Sequence, residues 1–140
     1  MMQEFDIRKY AWHVTVYYLD MQEGDASDEI LDDIYRIGCR GKVLDEAERL
    51  LRSGKKNTGL TYSNYDRRES VMVIGRSRNA SECANTMIHE RCHLNAQICT
   101  YYGIDPLSEE AAYMAGDIGA KMYDYAHVLL CEGCRKKRFK

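Results

Sequence analysis

The sequence has one proline in 140 residues, no internal repeat and no low-complexity stretch. A proline-rich linker is therefore excluded, and one domain over residues 1–140 is the expected organisation. No run approaches the roughly 18 apolar residues of a membrane-spanning helix. The opening "MMQEFDIRKYAWHV" lacks the apolar segment of a secretion signal and carries acidic residues early. The expectation is a cytoplasmic chain that meets no membrane. In a reducing compartment the six cysteines do not form a disulfide framework. A strong charge of one sign is missing too. The net charge of -2 argues against a polyanion binder. The one basic cluster, "RKKRFK" at residues 135–140, reads as a solvated end rather than a nucleic-acid arm.

What is present suits a globular domain: 45% hydrophobic and 30% charged residues. Residues 10–19, "YAWHVTVYYL", read as a strand with Trp12, Val14, Val16 and Tyr18 on one face. Ser27 or Asp28 can cap a helix through "DEILDDIYRIG", and "KVLDEAERLLRSG" reads as a second amphipathic helix. The period then changes to two. "TGLTYSNY" and "SVMVIG" are strands joined by the polar turn "DRRE". Asn79, with Glu82 three residues on, forms a capping box for a helix that runs to about Tyr102 and stops at Gly103. Ser108 caps a last helix that ends near "CEGC". The order β-α-α-β-β-α-α defines an α+β domain with a small antiparallel or mixed sheet.

The first long helix carries "MIHERCHL", which contains H-E-x-x-H. Histidines at i and i+4 share one helix face, so His89 and His93 can both reach one tetrahedral zinc. Glu90 sits to one side of them. There it can take the proton of an activated water without ligating the metal. The wheel puts Ile88, Cys92 and Cys99 on an apolar arc beside the histidines, so Cys92 reads as core.

A catalytic zinc has three protein ligands and one open position. No third histidine follows at short spacing, and His127 is far down the last helix. The pair Glu109 and Glu110 opens that helix after a tight loop. Glu110 falls on the polar arc with Asp117 and Lys121. Glu109 falls at the edge of the apolar arc, in line with Ala112, Tyr113 and Gly116, whose small members would let two helices approach. Glu109 is therefore preferred to Glu110 as the third ligand. Tyr113, one turn further, could place a phenol near the metal to steady an oxyanion.

With these residues read, "MIHERCHL" followed by "GIDPLSEEAAYMAGDIG" resembles the small HExxH proteins of bacterial genomes and prophages, a minimal gluzincin type of zinc metallopeptidase. The likeness extends over residues 58–136, from the preceding hairpin to "LLCEGCRKKR". It implies a zincin-like fold in which the HExxH helix is followed by a ligand-bearing helix. It also implies a Zn2+ cofactor on His89 and His93 with one of Glu109 and Glu110, Glu90 as base, and a peptide or protein substrate. In such folds an edge strand before the active helix pairs with extended substrate, a role that Val71 to Ile74 would take here. The chain departs from larger gluzincins in a short gap before the third ligand and in lacking a second domain to form a cleft. The rival expectation is a phage-related interaction protein that keeps the scaffold without catalysis, its zinc structural or absent. "CEGC", Cys131 to Cys134, is half of a zinc knuckle without a second C-x-x-C and reads as a pair of reduced thiols.

Overall fold

Strand β2, Trp12–Tyr18, organises the molecule. Its β-branched and aromatic residues are buried on both faces of the sheet. Trp12, Val14, Val16 and Tyr18 share one face, as their alternation predicts, and Tyr17 enters the core on the other. The computed structural model describes residues 2–138 and is α+β, built on a mixed four-stranded sheet.

Strand β1, Met2–Ile7, pairs antiparallel with β2, Phe5 opposite Val14. Sequence periodicity did not show it, because "MQEFDI" mixes charged and apolar residues and has one exposed edge. Strands β3, Gly59–Asn64, and β4, Glu69–Ile74, form the expected hairpin. It closes through Arg68 N–H donating to Tyr65 O at 3.2 Å. β4 then lies parallel to β2, giving the order β1-β2-β4-β3. The crossover that a parallel pair requires contains α1, Ser27–Arg36, and α2, Gly41–Arg52. Neither residue 27 nor 28 caps α1; the N-cap position is Ala26, which offers no side-chain acceptor, and Asp25 before it accepts from Ser27 N–H at 2.9 Å.

This order corrects one expectation. Val71 to Ile74 belong to β4, which is paired on both sides and cannot receive a substrate strand. The continuous apolar run "VMVI" fits an interior strand, whereas the more polar "GLTYSN" of β3 fits an edge.

Helices α3, Ala80–Tyr102, and α4, Glu109–Ala126, cover the face that carries Trp12, Val14, Val16 and Tyr18. The other face packs on Ile30, Ile34 and Ile37. Each fully buried aliphatic side chain contributes about 1.5–3 kcal/mol relative to exposure. The start of α3 forms as expected: Glu82 N–H donates to Asn79 Oδ1 at 2.9 Å. The return arm is shifted by one residue, since the Glu82 carboxylate accepts from Arg78 N–H. Gly103 ends the helix in the left-handed region, φ 66°. Ser108 Oγ accepts from Ala111 N–H and starts α4.

A short helix not foreseen from the sequence, α5, Glu132–Arg138, begins inside "CEGC". The basic tail is not wholly solvated, because Arg135 is buried against Ser77 and Leu129. Phe139 and Lys140 lie outside the described residues. No helix among those described is long and apolar enough to cross a membrane.

Candidate metal centre

The motif occupies the middle of α3, where the helix passes under the free edge of β3. Successive helical residues turn by about 100°, so the four residues of one turn meet different surroundings. Cys83, Met87, Leu94 and Ile98 face the sheet. Glu90 and Gln97 face β3, while Ala84, Ile88 and Arg91 face α4. His89 and His93 are exposed on the β3 side.

The two imidazoles converge. His93 Nε2 lies 3.1 Å from His89 Nε2, and the rings stand edge to face at 75°. Two nitrogens bound to one tetrahedral zinc at 2.0–2.1 Å would be about 3.3 Å apart. The observed separation is close to the one that two zinc-bound nitrogens require.

Glu90 is only 4% exposed, unusual for a carboxylate. Its Oε1 accepts from Thr61 Oγ1 at 2.9 Å, and its Oε2 lies 4.0 Å from His89 Nε2. Gly59 makes that burial feasible. A Cβ there would stand 2.9 Å from Glu90 Oε2 and 2.7 Å from Val73 O. Further along, Trp12 Nε1–H donates to Ser70 Oγ, Ser70 meets Ser63 at 2.6 Å, and Ser63 Oγ donates to Gln97 Oε1. This relay fixes β2, β4 and β3 to the face of α3 that carries Gln97. Periodicity marks its serines as neutral strand residues, so sequence reasoning missed them.

The acidic pair of α4 is placed elsewhere. Glu110 Oε1 accepts from Tyr10 Oη at 2.8 Å and pairs with Lys9 Nζ at 3.2 Å. Burial, then the Glu110 hydrogen bond, pushes the Tyr10 phenol up to about 12. The same Tyr10 bond, followed by Lys9, holds Glu110 below the usual carboxylate range. Glu110 also lies near Cys99, whose thiol is raised first by burial and then by that charge. Cys99 is about 9 Å along the helix from His93 at 1.5 Å per residue. Moreover, α4 packs on a flank of α3 about 150° around from the histidines. Among the described residues no three His, Cys, Asp or Glu side chains come together to hold a metal. Glu109 is exposed at the helix start, and Tyr113 is 75% exposed on the outer face of α4.

The wheel also erred on two neighbours. Cys92 is exposed, and Ile88 is 52% exposed. The sheet and α4 together cover less of α3 than its two apolar arcs suggest. Close approach to α4 comes at Gly119, where a Cβ would lie 3.1 Å from Arg91 Nη1, while Ala112 and Gly116 face outward.

The other candidates stand apart. Cys131 and Cys134 are both exposed and free. The Cys134 amide and then its thiol lower Cys131, and Cys134 rises in response. His13 bonds Asp6 at 2.8 Å and Glu4 at 3.2 Å on the β1–β2 surface.

Fold and site together define an α+β domain with a converging histidine pair and a buried carboxylate at an open sheet edge. No family model, no curated protein and no solved structure matches the chain.

Proposed function

We propose that the chain is a zinc-dependent hydrolase of peptides, a reduced zincin whose substrate lies along β3. The observation that carries this reading is the convergence of the His89 and His93 Nε2 atoms, 3.1 Å apart, beside the buried Glu90 carboxylate. His89 and His93 would hold Zn2+, which supplies a Lewis acid that acidifies water and polarises a carbonyl. Glu90 accepts the proton from the attacking water. Thr61 keeps one of its oxygens occupied and leaves Oε2 toward the histidines.

Of the two acidic residues Glu109 is favoured as the third ligand. Glu110 is held by Tyr10 and Lys9, whereas Glu109 is exposed and has no side-chain partner among the described residues. To reach the histidines Glu109 must leave the first turn of α4, carrying Tyr113 with it. The loop at residues 103–108 would have to rearrange.

β3 is the sheet edge nearest the pair. His13 N–H on β2 donates to Arg68 O, which sets the phase of the sheet: Ser70, Met72 and Ile74 turn their main-chain groups to β2, and Glu69, Val71 and Val73 turn theirs to β3. Leu60 and Tyr62 therefore bond β4, and Gly59, Thr61 and Ser63 turn their main-chain groups outward, where Gln97 Nε2 donates to Thr61 O at 3.4 Å. An extended peptide can pair with those outward groups.

The rival reading, an interaction protein on the same scaffold, draws on the distance between the acidic pair and the histidines. It also draws on the exposed Ile88, Tyr113 and Tyr123. The test uses protein purified without a chelator or a histidine tag. Elemental analysis should find one zinc per chain, lost in His89→Ala and His93→Ala and retained in Glu90→Gln. Glu90→Gln should keep its melting temperature, since Gln still accepts from Thr61. Its turnover of a peptide library should fall by about 10²–10⁴-fold. Zinc that persists in both histidine variants would rule the site out. Zinc binding without wild-type turnover would favour the interaction protein.

A further inference from the structure

On the opposite side of the sheet from the histidines, the start of α1 and the end of α2 stand away from β3 and β4. They enclose a cavity of about 470 Å³, within the range of small-molecule pockets. Its floor is apolar, formed by Leu19, Ile30, Leu60 and Val73. Its rim carries Arg52, Lys55 and Arg76, against a single lining carboxylate, Asp25.

The charges at the rim are unequally satisfied. Asp25 is taken up by Ser27, accepting from its N–H at 2.9 Å and its Oγ–H at 2.5 Å. Arg52 is engaged by Asp28 at 2.7 Å and Glu48 at 3.5 Å. Arg76 donates to the main-chain oxygen of Gly24 at 3.2 Å, and Asp25, held low first by the Ser27 hydrogen bonds, also feels the charges of Arg52 and Arg76. Lys55 has no carboxylate partner among the described residues. Two cations outside any salt bridge among the described residues thus stand above an apolar floor. Apolar surface left open to water gains by being covered, and an anion that meets both cations adds charge-assisted hydrogen bonds.

We propose that this cavity binds a small amphipathic anion, a carboxylate with a short apolar tail, its tail on Leu60 and Val73 and its head between Lys55 and Arg76. The site does not depend on the histidines or on the proposed hydrolysis. Gly59 lies in its wall, so the ligand would sit one strand away from Glu90.

Octanoate and octanol serve as probes of equal tail and different head, titrated into the full chain and followed by backbone amide shifts. Octanoate should shift the amides of Ile30, Leu60 and Val73 saturably and bind more tightly than octanol by on the order of tenfold. Lys55→Glu and Arg76→Glu, both exposed positions, should remove that advantage and leave octanol binding unchanged. The His89→Ala variant should bind octanoate as the wild type does. Absence of saturable shifts at those amides would overturn the proposal. Equal affinity for the two probes, or charge variants that bind octanoate normally, would overturn it as well.

Discussion

At residue 59 a side chain of one hydrogen has a defined job. It lets a strand carbonyl and a buried carboxylate pass on the same side of the chain. A methyl group there meets Val73 O at 2.7 Å and Glu90 Oε2 at 2.9 Å, and neither is a flexible tip free to swing aside. Gly59→Ala should therefore destabilise the fold by about 1–3 kcal/mol, the usual cost of overpacking. Under the proposed hydrolysis it should also weaken turnover more than that loss explains, because Glu90 must shift. Chemical denaturation alongside kinetics on the folded fraction checks both. An unchanged midpoint with unchanged activity would mean that β3 does not press on Glu90. The meeting of His89 and His93 was legible at this scale, since the i, i+4 spacing alone predicts that two imidazoles converge. The placement of Glu90 against Thr61 was not, because it depends on a strand that is distant in sequence.

Among the elements, β3 is the one whose two sides differ most. One side is bound to β4, and the other is open along Gly59, Thr61 and Ser63. Proline substitution reads this phase directly, since proline removes an N–H and is tolerated where that N–H faces solvent. Relative to alanine at the same position, Thr61→Pro should cost little further stability. Tyr62→Pro should cost about 3 kcal/mol or more. Equal penalties in thermal unfolding would show that the alternation is reversed. Helices with a cap were readable in advance: Asn79, Gly103 and Ser108 bound α3 and α4 where the side-chain chemistry puts them. Sheet order was not, because "SVMVIG" identifies a strand but not its neighbours. The third-ligand reading suffered similarly. A wheel gives the face of one helix, whereas the flank on which α4 docks is set by Arg91 meeting Gly119.

For the molecule as a whole, the C-terminal segment acts as a clasp. Glu132 Oε1 accepts from Ala80 N–H at 2.6 Å, holding the first turn of α3. Arg135, 6% exposed, donates to Ser77 O at 2.9 Å and Leu129 O at 3.2 Å, and lies 3.4 Å from Asp20 Oδ2. Asp20 also accepts from Ser77 N–H. Arg135→Ala should leave a buried carboxylate without its cation and cost about 3–5 kcal/mol. A urea titration that moves by less than about 1 kcal/mol would show water replacing the guanidinium.

The clasp also bears on how the chain is made. Asp20 and Arg135 are 115 positions apart, so a chain growing from its N-terminus exposes the acid long before its cation has been translated. Until then α3 lacks the contact to Glu132, and the loop between β4 and α3 lacks the contact to Arg135. Vectorial synthesis would thus leave the histidine-bearing helix incompletely anchored on the ribosome, and the face that carries His89 and His93 would gain its full support only when α5 emerges.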